Sequence, residues 1–337
     1  MLEHDEFESR RTGALWSTPG VRECLLAGLG AAAIIGALTV VARHWGWHAT
    51  DFDQLWVAGR ALLAGRDPYL AVREAQLPHP LYYPLPAVVL TLPLALLPRG
   101  TAYILLAALT AFVAGYGLRR LGRWALLALL SPAWWAAAFQ GQLAPALAGA
   151  AMVPSLGFVL AAKPTLGLAL WVSRPSRRAA LGVAALMLLC VLVWPGWLGS
   201  WLQTIREAPH IRAPITRPGG FLLLLALLRW RSPGARLLAA WAFIPRTESL
   251  YDMLPLFLVA ESAASAAFLV VCSLLALLGL AFMPPPLPDL AARLTSTWPV
   301  LFCLVYVPAL LVVLSPLLER RWRGLREARR GAEAGAQ

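Results

Sequence analysis

The sequence predicts an all-α polytopic membrane protein, and three observations predict it. Of 337 residues, 59% are hydrophobic and 14% are charged, against about 25% charged in an ordinary soluble chain. Charge-free runs recur at 24–42, 104–118, 124–162, 179–203, 262–288 and 294–318, and a spanning helix needs roughly 20 apolar residues. No segment alternates apolar and polar residues as a membrane barrel strand does.

The formal charge is +12, carried by 28 arginines and one lysine. A basic soluble chain would suggest a nucleic-acid partner, but here the arginines group at the ends of the apolar runs. Arg10, Arg11 and Arg22, then Arg119, Arg120 and Arg123, then Arg174, Arg177 and Arg178, then Arg229, Arg231 and Arg236, and finally 320–330 form these groups. Such groups mark cytoplasmic loops. Both termini are therefore expected in the cytoplasm, with no nucleic-acid partner. The first run is too long for a removed signal peptide. Cys24, Cys190, Cys272 and Cys303 each lie inside an apolar run, without ligand spacing, and read as packing residues.

Along the chain we expect a cytoplasmic tail at 1–21, a membrane domain at 22–318 and a basic tail at 319–337. Helix one runs over about 22–43. Residues 44–82 form the first outer loop, with Trp45 and Trp47 at the interface. Inside this loop Phe52, Leu55, Trp56, Leu62 and Leu63 share one helical face, predicting a short amphipathic helix lying on the bilayer. Thr50 suits its cap, Gly65 its end, and Pro68 stops it. The proline-punctuated run 82–98 either spans or re-enters. Passes are expected over 101–118 and 124–139, over 143–172 (interrupted at Lys163-Pro164) and over 179–194. A second outer loop covers 195–220, with Trp197 and Trp201 as anchors. Further passes fall within 221–244 and 253–282, and the last at about 298–315. The total is roughly ten, with no internal repeat.

Four groups of residues carry candidate chemistry. Asp51 and Asp53 stand where a membrane helix meets water. They read either as helix-start acids, gaining about 0.3–1 kcal/mol from the helix dipole, or as a general base for an acceptor hydroxyl. Their oxygens would also admit a divalent cation, although none is expected, nor any other cofactor. Lys163 is the sole lysine and lies in apolar sequence, so it must snorkel, face a cavity or meet an anion. Gln140 and Gln142 carry amides that need partners, and Gln142 could bind sugar hydroxyls. Arg60, Arg66, Tyr69 and Tyr83 share the first outer loop or its edge. Arg206, Arg212 and Arg217 lie in the second. Glu248 and Asp252 are second-choice acids, Glu261 is a candidate midplane charge, and His44, His48, His79 and His210 are dispersed.

Asp51-Phe52-Asp53-Gln54-Leu55-Trp56, followed by Ala61-Leu62-Leu63-Ala64-Gly65-Arg66-Asp67-Pro68-Tyr69, resembles the first outer loop of the glycosyltransferase family 87 membrane proteins. These include polyprenol-phosphate-mannose-dependent mannosyltransferases of the GT-C superfamily. Tyr82-Tyr83-Pro84-Leu85-Pro86, Gly141-Gln142 and Lys163-Pro164 are similar to further segments of that family, and the order agrees over 50–175. Leu85 and Leu143-Ala144 depart from its pattern. The resemblance implies a GT-C-like bundle in the plasma membrane. It implies inverting, hexosyltransferase-type transfer on the outer face, from a polyprenyl-phosphate sugar donor to a glycolipid or glycan acceptor. Asp51 matches the catalytic aspartate, with Asp53 beside it. Arg60, Tyr69, Tyr83, Gln142 and Lys163 are the matching candidates for substrate binding. A lipid-linked sugar or lipid transporter and a catalytically inactive membrane subunit are the alternatives.

Overall fold

Proline decides which apolar runs become long helices. In the computed structural model, residues 20–46, 50–208, 212–245, 249–283 and 290–319 are described, and every regular element among them is helical. Both expected tails (apart from their innermost residues), Trp47, His48, His210 and Glu248 lie outside the described residues.

Helix α1 (Val21–His44) has no interior proline or glycine pair, and at 1.5 Å per residue it reaches about 36 Å, enough to cross a bilayer. Residues Cys24, Gly28, Ala31, Ile35 and Thr39 are its buried face. Leu26, Leu29, Ile34 and Val40 are more than half exposed, as lipid-facing side chains would be. Helix α2 (Thr50–Leu63) follows. Gly65, at φ 67°, ends it in a Schellman turn: its N–H donates to Leu62 O and that of Arg66 to Ala61 O. Helix α3 (Pro68–Glu74) then starts at Pro68, where Asp67 accepts from the N–H groups of Tyr69 and Leu70. Pro68 thus begins a helix as well as barring the previous one.

The run 82–98 yields α4 (Leu85–Thr91) and a 3-10 turn (Leu92–Leu96). Together these span about 18 Å at 1.5 Å per residue, too short to cross. Helix α5 (Arg99–Arg119) is long and packs antiparallel to α1. A Cβ on Gly28 would lie 2.8 Å from Phe112, and one on Gly115 2.7 Å from Ala27 O, so small residues set this contact. Arg119 pairs with Glu23 at one end of the two helices, and Arg43 lies beside Gly100 at the other.

The 124–172 region, read as two passes, is instead divided by Pro132, Pro145, Pro154 and Pro164. It gives a 3-10 helix (Arg123–Leu130), α6 (Pro132–Phe139), α7 (Ala144–Ala150), a second 3-10 helix (Pro154–Ala162) and α8 (Pro164–Ser173). Helix α9 (Arg177–Val193) turns through 102° into α10 (Trp197–Arg206). A 3-10 helix (Gly220–Arg229), α11 (Pro233–Ala242) and another 3-10 helix (Leu250–Val259) precede the long α12 (Ala263–Ala281). The last span, Ser296–Glu319, includes a π turn (Phe302–Tyr306). That turn sits where Pro308 would clash with the carbonyl of Leu304, four residues earlier.

Four helices among the described residues are long and apolar enough to cross a membrane, or five if α9 and α10 count as one bent span. The expectation of roughly ten is corrected: run length counts apolar residues, but prolines cut most runs into pieces of 5–12 residues. Two other expectations change. Helix α2 does not lie face-down on lipid, because Phe52, Leu55 and Ala58 are buried against α4 and the turn after it. Trp197 is buried, and Trp201 donates to Tyr82 O at 3.0 Å, so both hold α10 against the tyrosine segment. Of the cysteines, all free, Cys24, Cys190 and Cys272 are buried and Cys303 is exposed.

Candidate functional site

A polar cluster forms near the end of the bundle where α1 finishes and α5 begins. It draws side chains from five segments far apart in sequence, and each is presented by a specific local device.

Gln142 is fixed by the end of α6. Gly141, at φ 67°, closes a Schellman turn in which its N–H donates to Ala138 O and the Gln142 N–H to Ala137 O. The Gly-Gln pair is thus a helix stop that places one amide, and Gln142 is 3% exposed. Its Nε2 donates to Asp51 Oδ2, while its Oε1 accepts from Tyr83 Oη at 2.9 Å and Lys163 Nζ at 3.4 Å. The reverse amide orientation would set a carbonyl against a carboxylate and NH2 against an ammonium, so the charges on either side dictate this one.

Lys163 is presented by Pro164. A proline disfavours helix in the residue before it, and Lys163 is extended at φ −141°, between a 3-10 helix and α8. Its ammonium meets an anion: Nζ donates to Asp252 Oδ1 at 2.6 Å and lies 5.5 Å from the centre of the Tyr251 ring. Asp252 stands in the first turn of the Leu250–Val259 helix and is wholly buried.

Tyr83 is gripped through its neighbours' backbone as well as its hydroxyl. Tyr69 Oη donates to Tyr83 O at 3.3 Å, and Trp201 Nε1 to the carbonyl of Tyr82. Burial, then the nearby Asp51, Tyr251 and Asp252, push the Tyr83 phenol well above its usual range, which keeps it a hydrogen-bond donor. Burial likewise raises Tyr69.

Asp51 is the half-exposed end of this chain of contacts. Burial raises its carboxyl above the ordinary aspartate value, partly offset by the charge of Lys163, the Gln142 hydrogen bond and the charge of His79, while Asp252 adds to the rise. Among the described residues, its Oδ1 accepts no hydrogen bond. The arrangement therefore offers a proton acceptor with one oxygen held and one open, backed by a buried amide, phenol, ammonium and second carboxylate.

Of the residues singled out in the sequence, Asp51, Tyr83, Gln142 and Lys163 converge here, with Tyr69 behind them. Asp53 does not join them. Two residues apart on a helix, side chains point in different directions, and Asp53 forms a bidentate pair with Arg99, Nε to Oδ1 at 2.5 Å. The two carboxylates therefore do not chelate one point. Arg60 also stands apart, with its guanidinium 5.1 Å from the Trp56 ring centre and Nη1 3.5 Å from Ala95 O. Arg66 pairs with Glu74 at 2.5 Å, Arg217 packs over Trp298, Arg206 and Arg212 are exposed, and Glu261 pairs with Arg229.

Sequence reasoning gave Asp252 second place and counted His79 among scattered histidines, yet both act on Asp51. A signal for Asp252 was its polarity inside the apolar run 249–260. His79 carried none, since only folding brings it near. Compared with family models, with curated proteins and with solved structures, the chain matches none.

Proposed function

We propose that the protein is a membrane glycosyltransferase that moves a sugar from a polyprenyl-phosphate donor to an acceptor hydroxyl, with Asp51 as general base. One observation carries this reading: Asp51 stands at the end of a helical bundle that bears membrane-length helices, with one carboxylate oxygen held by a buried network and the other accepting no hydrogen bond among the described residues. A lipid-linked donor keeps its sugar at the membrane surface, so the base must stand there.

In the proposed step the acceptor O–H gives its proton to Asp51 as the oxygen bonds to the anomeric carbon. The bond from that carbon to the phosphate oxygen breaks on the opposite face, inverting the centre. A positioned base contributes about 10²–10⁴-fold. The departing polyprenyl phosphate needs positive potential in a low-dielectric site. Lys163 uses two of its three N–H donors on Asp252 and Gln142, leaving one for a phosphate oxygen. Gln142 sets the carboxylate orientation, and Tyr83, braced by Tyr69, sets Gln142. The polyprenyl tail would lie along the exposed apolar faces of the long helices. In this reading the bundle is GT-C-like, lies in the plasma membrane with its site outward and its termini cytoplasmic, and takes a glycolipid or glycan as acceptor.

The test is transfer by the purified protein in nanodiscs, with polyprenyl-phosphate mannose, arabinose or glucose as donor. Wild type is expected to transfer one of these with inversion, and Asp51→Asn to stay folded without transferring. Full turnover by Asp51→Asn would defeat the assignment. Movement of intact donor between leaflets without transfer would mark a transporter instead.

A further inference from the structure

At the far end of α5, beside Arg120, the chain forms a second polar feature. A cavity of about 460 Å³ is lined by Arg120, Arg174 and Arg236 together with Ser176, above an apolar floor that includes Leu160 and Leu170. None of the residues lining it is an aspartate or glutamate. We propose that this cavity is a binding site for a phosphate group, carried by an anionic lipid headgroup or supplied as free phosphate. The proposal does not depend on the glycosyltransferase reading.

The arginines are placed by the fold, beyond what orientation of a loop requires. Arg236 reaches back across the bundle to the end of α8. Its Nη2 donates to Ser173 O at 2.8 Å, its Nε to the carbonyls of Val172 and Ser173, and its Nη1 to Arg231 O at 2.9 Å. These contacts occupy its N–H groups while leaving its positive charge without a counter-ion among the described residues. Arg174 begins the α8–α9 turn with extended backbone at φ −136° and is only partly exposed. Its backbone N–H donates to Leu170 O at 3.1 Å, but among the described residues its guanidinium has no hydrogen-bonded or ionic partner. Burial and then Arg236 lower its guanidinium from the ordinary arginine value, so its charged form is held at a cost that an anion would relieve. Glu23, at the same end, is already engaged by Arg119.

The cavity also meets the start of α9. Ser176 caps that 17-residue helix, accepting from the Ala179 N–H at 3.4 Å, so the helix's positive end adds to the potential of the arginines. Arginine forks match phosphate oxygens bidentately. Beside the cavity α9 exposes Leu181 at 70% and Leu188 at 62%. Acyl chains could lie along this apolar face beneath a headgroup.

The experiment uses the full chain, as wild type, Arg174→Gln, Arg120→Gln/Arg174→Gln and Arg178→Gln. Arg178 is exposed in the first turn of α9 and does not line the cavity. The proteins are released from nanodiscs of phosphatidylcholine containing a minor fraction of phosphatidylglycerol, and retained lipid is read by native mass spectrometry. Inorganic phosphate is titrated separately against the melting curve in detergent. Wild type and Arg178→Gln are expected to retain phosphatidylglycerol or respond to phosphate. Arg174→Gln should bind about tenfold more weakly, as loss of one charge-assisted hydrogen bond implies, and the double variant more weakly still. Retention of phosphatidylglycerol without a response to phosphate identifies the headgroup as the source, and the reverse identifies the free ion. Melting in phosphatidylcholine alone separates binding from folding, because removing Arg174 relieves its repulsion with Arg236 and should not lower the midpoint. Equal binding by Arg174→Gln and Arg178→Gln, or none by wild type, would overturn the proposal.

Discussion

Replacing Lys163 with methionine takes the ammonium away from a buried carboxylate. Asp252 is fully buried, and its side chain is held by the ammonium at 2.6 Å. Methionine conserves much of the lysine stem, so packing changes little, but the ion pair with Asp252 is gone. Removing one partner of a buried ion pair costs about 3–5 kcal/mol. Asp252→Asn is milder, because the Lys163 side chain keeps 21% of its surface in solvent and can carry its charge outward, for about 1–3 kcal/mol. The double variant leaves neither charge buried alone, and its loss should fall well short of the sum, with a coupling energy of about 2 kcal/mol. Taking about 2 °C per kcal/mol for a chain of this size, Lys163→Met should lower the melting midpoint by about 6–10 °C, and adding Asp252→Asn should recover part of that. The assay is intrinsic-fluorescence melting of the four proteins in one detergent. Losses that add to within about 0.5 kcal/mol would show that the two groups do not act on one another, and the network behind Asp51 would lose its anchor.

The other expectations concern the base and its supports. Asp51 must be ionised to accept a proton, and its carboxyl is raised by burial, so kcat/KM should climb with pH along an acid limb lying above the ordinary aspartate range. Gln142→Leu removes an influence that lowers that carboxyl, so the limb should move to still higher pH; an unmoved limb would show that another group titrates. Asp53→Asn, by contrast, breaks the pair with Arg99 but leaves Asp51 untouched. It should lower the melting midpoint while retaining most of the turnover, and loss of turnover without loss of stability would transfer the catalytic role to Asp53. Gly141→Ala forces a side chain into φ 67° at about 1–2 kcal/mol and shifts the amide behind it. Activity should fall further than the melting midpoint implies, and Gly65→Ala, the equivalent turn away from the cluster, should cost stability alone.

Elements governed by local chemistry were legible in the sequence. The spacing of Phe52 and Leu55 gave α2 its buried face, Gly65 ended it, and Pro164 explained why a lysine could stand in apolar sequence. The number of spans was not legible, because hydropathy sums over a window and ignores where the backbone can continue. Pro132, Pro145 and Pro154 cost that region no apolarity, but each opens a new helix and so bars a continuous one. The site was legible only in part, for a related reason. Asp51, Gln142 and Lys163 each advertise themselves as polar groups at a helix end or break. Asp252 is 89 residues from its partner and looks like one acid among several until the chain folds. By residue type and place Asp53 stood beside Asp51, and the resemblance alone favoured Asp51; the pair with Arg99 sets Asp53 apart in the fold.

The charges in the cluster constrain how the proposed reaction would run. An ionised Asp51 beside the donor would repel its phosphate. That repulsion is removed in the step itself. When Asp51 takes the acceptor's proton it becomes neutral, and the phosphate departs towards the remaining N–H of the Lys163 ammonium. The arrangement thus favours the transition state over the bound ground state, the differential on which catalysis depends. It also assigns Asp252 a purpose beyond stability. Without it, Lys163 would stabilise ionised Asp51 strongly and lower its basicity. With it, the ammonium is shared, and Asp252 adds to the rise that burial gives the Asp51 carboxyl. Asp252→Asn should therefore shift the acid limb of the pH profile downward and reduce the limiting rate above it. A limb that stays in place would show that Asp252 serves the fold alone.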